Sequence, residues 1–373
     1  MTAIRRLTLR DFRSYPALDL ALDGRSVVLT GPNGAGKTNL LEAVSLLSPG
    51  RGLRSARLSD VRAQGADGFG VGLALGTDAN PASTRLSIRS QPPRTERREA
   101  RVDGQPVSGP GAFLDHVAMT WLTPAQDRLF VEGASERRRF LDRMTLARDR
   151  AHARASGAYD KAMRQRTAVL TGPRQPDPRL LSVLERQMAE AGVAVAAARR
   201  ETAALLARGY ESLRQAAFPG AEVALEGTLE EGLATRRAAD VEAEFADALA
   251  RARRRDAEAG RALTGPHRAD LHVTHAPKAQ PARLCSTGEQ KALLIGLVLA
   301  GAAARQAAGG PPLILLLDEV AAHLDGDRRA ALADILEGLD CQAWMTGTDA
   351  GLFAPWAGRA QAFTVADGGV AQP

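Results

Sequence analysis

Gly31-Pro32-Asn33-Gly34-Ala35-Gly36-Lys37-Thr38 carries the spacing G-x-x-x-x-G-K-[ST] of a phosphate-binding P-loop. Each residue type has a chemical reason. Gly31, Gly34 and Gly36 let backbone N–H groups approach phosphate oxygens with no Cβ in the way, and Pro32, Asn33 and Ala35 complete the nucleotide-binding loop. Lys37 supplies a charge for the β- and γ-phosphates, and the Thr38 hydroxyl is placed to ligate Mg²⁺. Upstream, Ser26-Val27-Val28-Leu29-Thr30 is a β-branched apolar run that predicts a buried strand. Downstream, Lys37 to Leu47 has apolar residues at helical spacing. The loop therefore opens a helix whose N-terminus faces the phosphates.

A second chemical stretch lies far along the chain. Ser286-Thr287-Gly288-Glu289-Gln290-Lys291 precedes an apolar helix over Ala292 to Ala304. Ser286 and Glu289 fit a capping box, and a hydroxyl with a glycine at a helix N-terminus also makes an anion site. Leu313-Ile314-Leu315-Leu316-Leu317-Asp318-Glu319 follows, an apolar strand that ends in two carboxylates. A buried strand would deliver Asp318 to the sheet edge to hold Mg²⁺, with Glu319 next to it to orient or deprotonate the attacking water. Asp325 opens a loop before a helix at Arg328 to Leu336, and a last strand is expected at Gln342 to Thr346.

Composition frames these motifs. The chain has 373 residues, 45% of them hydrophobic and 25% charged, as in globular proteins with ample core. No apolar run approaches the length of a membrane span, so no membrane association is expected. Cys285 and Cys341 have no metal spacing and suggest no disulfide framework, which makes a cytoplasmic location the default. The net charge of +6 permits nucleic-acid binding without establishing it. Almost all the basic residues are arginine. The lysines are Lys37, Lys161, Lys278 and Lys291.

Alternation predicts a strand at Ile4 to Phe12 and another at Ala17 to Leu22, an antiparallel pair before the P-loop strand. The connection Phe12-Arg13-Ser14-Tyr15 fits either a place near the nucleotide base or an ordinary turn. Gly50 to Ser55 reads as a flexible basic loop. Strands are expected at Gly70 to Leu75, Thr84 to Ser90 and Val117 to Thr123, and the basic stretch Arg94 to Arg101 reads as a solvated hairpin, with DNA contact the other reading. Helix then takes over, with Ser135 as its N-cap and helical composition persisting to about Leu170. Pro173, Pro176 and Pro178 break it. Leu184, Met188, Ala191, Val195, Ala198, Thr202 and Leu205 form a heptad-like seam, continued by Val241, Phe245, Ala248 and Ala252 on a returning helix. Helices of roughly 30 residues make an arm about 45 Å long at most. A basic cluster closes the arm at Arg251 and Arg253 to Arg255. Gly265-Pro266-His267-Arg268-Ala269-Asp270 and the alternating Leu271-His272-Val273 mark the return to the first domain.

The order of P-loop, helical insertion, Ser-x-Gly-Glu helix and Asp-Glu strand resembles the head of ABC-type ATPases. More narrowly, the chain resembles the RecF family of bacterial DNA replication and repair ATPases. The residues that carry this likeness are Asp11-Phe12-Arg13, the P-loop, Arg51 to Ser55, Arg137-Arg138-Arg139-Phe140-Leu141-Asp142, Gly265 to Asp270 and Ser286 to Lys291. The resemblance implies an α/β head, a mixed P-loop sheet with antiparallel N-terminal strands, and an inserted all-α arm. The head would comprise 1–125 and 263–373, and the arm 126–262. It implies ATP and Mg²⁺ as cofactors, with Thr38 and Asp318 at the metal and Glu319 catalytic. Ser286, Gly288 and Glu289 would contact nucleotide in trans across an ATP-dependent homodimer, with Asp325 in the dimer loop. It further implies weak, DNA-stimulated ATP hydrolysis and sequence-independent binding at single-strand/double-strand DNA gaps. RecO and RecR are the implied partners in helping RecA load. Arg51, Arg54, Arg137, Arg138, Arg253 and Arg254 are the candidate DNA contacts.

The sequence departs from transporter ABC ATPases. Thr346-Gly347-Thr348-Asp349 lacks the histidine that would follow the last strand, which is compatible with a slow ATPase acting as a switch. Gln126 is the one candidate for a glutamine loop, and His267 and His323 are read as structural. A transporter subunit remains the competing reading, opposed by the helical insertion, the basic charge and the missing histidine. A cohesin-like organiser needs a longer arm, and a non-enzymatic DNA-binding module leaves Asp318 and Glu319 unexplained.

Overall fold

The structure is a computed structural model that describes residues 2–92, 96–213, 218–366 and 368–372. The chain forms two compact units: Met1–Asp127, Ser212–Phe218 and Leu294–Pro373 make the first, Arg128–Glu211 and Pro219–Leu293 the second.

In the first unit, β1 (Ala3–Phe12) and β2 (Tyr15–Ala21) pair antiparallel, with Leu9 opposite Leu18. Alternation buries Leu7 and Leu9 and leaves Arg6, Thr8 and Arg10 exposed. Phe12 and Tyr15 are fully buried, so burial excludes base stacking by either ring. β3 (Ser26–Thr30) is the P-loop strand and α1 (Lys37–Ser45) the helix that follows it. β4 (Phe69–Gly76), β5 (Thr84–Ser90), β6 (Glu99–Val102) and β7 (Gln105–Val107) extend the first hairpin into one sheet, ordered β2-β1-β4-β5-β6-β7. Its inner residues Val71, Leu73, Leu86 and Ile88 share a core with Leu40, Leu41 and Val44 of α1. The expected solvated hairpin at 94–101 is corrected in part. Arg94 lies outside the described residues, and Arg98 donates to the carbonyls of Leu46 (2.5 Å), Ser48 (3.4 Å) and Gly50. That guanidinium satisfies the open carbonyls after α1, and burial lowers its pKa. β8 (Ala118–Leu122) is buried throughout.

The second unit begins with α2 (Ala134–Arg148). Its N-cap is Gly133, not Ser135, because the Gly133 carbonyl already accepts from the Glu136 N–H at 3.0 Å. After a break at Asp149 come α3 (Ala151–Thr171) and α4 (Pro178–Leu213), the latter opened by a proline whose missing N–H costs a first turn nothing. α4 runs for 36 residues, about 54 Å and longer than the sequence suggested. Its seam from Leu184 to Thr202 is buried as expected. β9 (Ala221–Glu226) is a strand that the sequence did not announce. α5 (Thr228–Thr235), α6 (Ala238–Arg251) and α7 (Arg253–Ala259) follow, so the returning stretch from Val241 is split between α6 and α7 rather than one long helix. β10 (Asp270–His275) pairs with β9 and with β11 (Gln280–Pro281) in a separate three-stranded antiparallel sheet.

The break after α6 has a visible partner. Arg166 of α3 is buried and donates to the Leu249 carbonyl of α6 (2.7 Å), to Asp256 of α7 (2.6 Å) and to Glu185 of α4 (3.1 Å). One guanidinium thus ties four helices around the apolar cluster of Tyr159, Met188, Phe245 and Leu249. A second ionic knot joins Asp142 of α2 to Arg199 (2.6 and 2.8 Å) and His152 (2.8 Å). Burial alone would push the Asp142 carboxyl up, but the hydrogen bonds from His152 and Arg199 win and lower it to about 2. A folded pKa below the usual carboxylate value stabilises the fold above about pH 4 and is lost as pH falls toward 2. With a third of the side chain exposed, Asp142→Asn is expected to cost about 1–2 kcal/mol at pH 7. Urea unfolding of parent and variant should show that gap roughly halved near pH 3; a gap that does not shrink would place the cost elsewhere.

α8 (Thr287–Ala308) is long and apolar enough by composition to cross a membrane, contrary to the sequence expectation, and most of its apolar stretch is buried inside the protein. β12 (Leu313–Leu317), α9 (Gly326–Gly338), β13 (Cys341–Gly347), β14 (Ala360–Ala366) and β15 (Gly369–Ala371) complete the first unit. β13 is therefore not the last strand. The second sheet runs β15-β14-β3-β13-β12-β8, parallel except at the β14–β15 hairpin. β3 sits inside it, flanked by β13 and β14, and the carboxyl ends of β3, β12 and β13 share one edge, where open α/β sheets bind ligands.

Candidate nucleotide site

The P-loop leaves β3 through Gly31 at φ +146, and a Cβ there would lie 2.1 Å from the Val365 carbonyl oxygen of β14. Gly36, at φ +107, caps α1, and a Cβ would meet the Tyr15 hydroxyl at 2.7 Å and Ser14 Oγ at 2.9 Å. Tyr15 donates to the Gly36 carbonyl at 3.1 Å, and Asn39 donates to Ser14 Oγ at 3.0 Å. The turn between β1 and β2 thus supports the loop from behind. Lys37 is buried, and its ammonium donates to the carbonyls of Gly31 (2.6 Å) and Pro32 (2.8 Å). Burial lowers its pKa, opposed by the charges of Glu319 and Asp318.

Those carboxylates stand at the end of β12. Asp318 accepts from the Thr38 hydroxyl at 2.9 and 3.1 Å and from the Thr346 hydroxyl at 2.7 Å. Thr346 Oγ1 in turn accepts the Glu319 N–H at 2.9 Å. Glu319 has φ 53 and ψ 31, a left-handed conformation that costs a non-glycine residue roughly 1–2 kcal/mol and often marks a functional position. Thr346 lies in the very stretch read for its missing histidine; only its register beside β12 reveals its role. Thr38 and Asp318 offer two hard oxygen ligands in mutual contact. This suits Mg²⁺, which takes few protein ligands and completes its octahedron with phosphate and water.

At the start of α8 the capping box is formed. Ser286 donates its hydroxyl and its N–H to Glu289 Oε2, at 2.9 and 3.0 Å, and Ser286 Oγ accepts from the Glu289 N–H at 3.4 Å. Lys278, which the motifs did not single out, pairs with Glu289 Oε1. The Lys278 ammonium, with the Ser286 donors, lowers the Glu289 carboxyl to about 2. A Cβ on Gly288 would meet nothing within 4 Å, so no residue of this chain demands glycine there.

The other sequence candidates divide. Asp325 is the N-cap of α9, accepting from the Arg328 N–H at 2.8 Å. Gln126 is folded back on Thr123, whose N–H it accepts at 3.0 Å. His267 lies between the Tyr159 hydroxyl (2.8 Å) and the Ala262 carbonyl (3.0 Å), and burial lowers its pKa, all consistent with a structural residue. The His323 side chain lies outside the described residues. Among the six arginines, Arg137 grips Asp270 with two 2.7 Å bonds, Arg138 donates to the Ala269 carbonyl (2.7 Å) and Arg253 pairs with Glu185 (2.6 Å). These three are committed to internal partners. Arg54, Arg51 and Arg254 are all exposed; Arg54 donates to Asn39 (2.8 Å) and Glu42 (3.3 Å), and Arg254 pairs with Glu258 at the surface.

Residues 3–357 match the RecF/RecN/SMC N-terminal domain family. A Rhizobium etli (strain CIAT 652) protein named DNA replication and repair protein RecF is 51% identical over 99% of this chain and 98% of its own length. The chain belongs to the RecF family. A Mesorhizobium japonicum RecF is 50% identical over 99% of this chain and 97% of its own. Among solved structures, a RecF described as the recombination mediator protein RecF-ATPrS in the RecFOR pathway superposes with TM-score 0.86, at 21% identity, covering 100% of this chain and 98% of that one. The Smc head domain from Pyrococcus furiosus superposes with TM-score 0.54, at 16% identity, covering 100% and 96%. The RecF fold, an ABC/SMC-type head with a helical insertion, is therefore the fold of this chain.

Proposed function

We propose that this RecF-family chain is an ATP-dependent DNA-binding protein of replication and recombinational repair, acting in the cytoplasm as an ATP-driven homodimer. The observation that carries the reading is the junction at one sheet edge where Thr38 and Thr346 both donate to Asp318 while Thr346 receives the Glu319 N–H. A phosphate loop, an oxygen pair for Mg²⁺ and a strained carboxylate meet there. Bound Mg²⁺ would neutralise charge on the β- and γ-phosphates. Lys37 turns from the loop carbonyls to the phosphates. Glu319 orients the attacking water and accepts its proton.

Ser286 and Gly288 are the proposed contacts to nucleotide held by a second copy. The open space over Gly288 supports this, since glycine in a helix costs about 1 kcal/mol and invites close approach from outside. Lys278 pairs with Glu289 Oε1 and so offsets the charge of the carboxylate that Ser286 holds through Oε2, which lowers the repulsion an anion would meet at the Ser286 end. The head is proposed to span 1–125 with 263–373 and the arm 126–262, and the closed dimer would grip the DNA backbone at single-strand/double-strand gaps. Arg51 and Arg254 stay exposed for phosphate. RecO and RecR are the proposed partners for RecA loading, and slow, DNA-stimulated hydrolysis the release step.

Glu319→Gln should bind ATP normally and accumulate as a dimer on gapped duplex. Sedimentation with labelled DNA, with and without ATP, measures this. A variant that stays monomeric with ATP and binds DNA equally without it would remove the switch from the scheme.

A further inference from the structure

The outer face of the first sheet has a feature that the nucleotide site does not use. β4 lies between β1 and β5, and its outward residues are Gly70, Gly72 and Ala74, while Val71, Leu73 and Leu75 are buried in the core. Glycine inside a strand weakens it and often marks a close approach by a ligand or another backbone. The sheet's own packing does not require it at Gly70, where a Cβ would come no nearer than 3.9 Å to Arg10 Cβ. At Gly72 a Cβ would meet Thr8 Oγ1 at 2.5 Å, so the floor is bare backbone at Gly70 and is crossed by the Thr8 hydroxyl at Gly72.

Arginines wall this floor on both sides. In register, Arg10 and Arg89 flank Gly70, and Arg6 and Arg85 flank Ala74. Arg10, Arg85 and Arg89 are exposed, and among the described residues none of their guanidinium groups has an ion pair or hydrogen bond. Arg6 is held by Asp19. Arg101, opposite Ser87, donates to the Gly104 carbonyl at 3.0 Å, while its buried Nε has no partner. Asp103 lines the wall beside Arg85, whose backbone N–H it accepts at 2.8 Å, Glu99 lies opposite Arg89, and Arg6, Arg10, Arg85, Arg89 and Arg101 outnumber Asp19, Glu99 and Asp103. The resulting trough holds a cavity of about 400 Å³ lined by Arg6, Thr8, Gly72, Arg85, Ser87 and Asp103, and continues beyond that cavity to Gly70 between Arg10 and Arg89.

Its walls stand two strand spacings apart, about 10 Å. One sugar–phosphate backbone fits between them; a duplex can only rest on the rims. Among the described residues no aromatic side chain faces the trough, so bases find no stacking platform there and contact falls to the phosphates. We propose that this trough is a track for the backbone of single-stranded DNA, held without base readout. The proposal rests on the reading of the chain as a DNA-binding protein, and is independent of the nucleotide site.

Two variants test it, with binding of labelled oligothymidine and of blunt duplex measured by anisotropy over a salt series. Arg10→Ala/Arg85→Ala/Arg89→Ala should weaken oligothymidine binding about tenfold and flatten its log–log salt slope by about 2, at roughly 0.7 per lost phosphate contact. Gly70→Val keeps every charge, suits a strand and has room, yet raises the floor. It should weaken oligothymidine binding several-fold and leave duplex binding unchanged. If the triple variant binds oligothymidine like the parent, or Gly70→Val has no effect, the trough is not the track. Equal loss of both DNAs makes the face a general duplex surface, and polyglutamate outcompeting oligothymidine makes it an acidic-protein site; either result overturns the proposal. A parent protein that binds neither DNA overturns the broader DNA-binding reading with it.

Discussion

Lys37→Ala is expected to abolish nucleotide binding at working concentrations and, with it, ATP-dependent dimerisation. The ammonium holds the carbonyls of Gly31 and Pro32 at 2.6 and 2.8 Å. It is also the cation that the carboxylates of Asp318 and Glu319 favour against its own burial. Removing it takes away the positive charge that faces two phosphates and leaves the carboxylates uncompensated beside them. Two charge-assisted hydrogen bonds at about 1.5–3 kcal/mol each correspond to a loss of roughly a hundredfold or more in affinity. Titration with a fluorescent ATP analogue measures the loss, and sedimentation with ATP measures the dimer. The fold should survive, because Gly31 and Gly36 are positioned by β14 and by the turn at Ser14 and Tyr15 rather than by the lysine. Affinity within threefold of the parent, or an undiminished dimer, would sink the assignment of the P-loop.

Arg166→Leu should be the most destabilising single change in the helical unit. The substitution strands Asp256 and the Leu249 carbonyl in a buried setting and takes one of two guanidinium partners from Glu185. Breaking a buried ion pair from one side costs about 3–5 kcal/mol, because the remaining charge keeps its desolvation penalty. Arg253 still pairs with Glu185, and the Leu263 N–H still reaches Asp256 at 3.1 Å, so the lower half of that range is expected. The melting temperature should fall by about 10 °C. Arg166→Leu/Asp256→Leu should recover part of the loss, since a matched apolar pair leaves no stranded charge. If calorimetry shows the double variant no better than the single one, packing and not the ion pair sets the cost.

Much of the candidate site was legible because it is local in the chain. The glycine spacing of residues 31–38, the capping box at Ser286 and Glu289, and the five buried residues of β12 before Asp318 are each written within eight consecutive positions. Short-range geometry is set by φ/ψ preference and side-chain period, which neighbours along the chain determine. The alternation of β1, β4 and β5 and the seam of α4 were readable for the same reason.

What only the tertiary structure decided is the choice of partner. Thr346 meets Asp318 because β13 pairs with β12, and Lys278 meets Glu289 at the start of α8; neither contact carries a local signal. Arg137 and Arg253 are candidate DNA contacts by sequence, yet Asp270 and Glu185 claim them, and Arg98 closes the end of α1. A charged side chain announces that it needs a counter-charge or water, but not which; that depends on contacts between residues tens or hundreds of positions apart. Strand order is non-local too, which is why β14 beside the P-loop strand and β9 within the helical unit appear only in the fold. The sequence by itself thus determined the chemistry available at each motif, and the tertiary structure decided which motifs and which arginines meet.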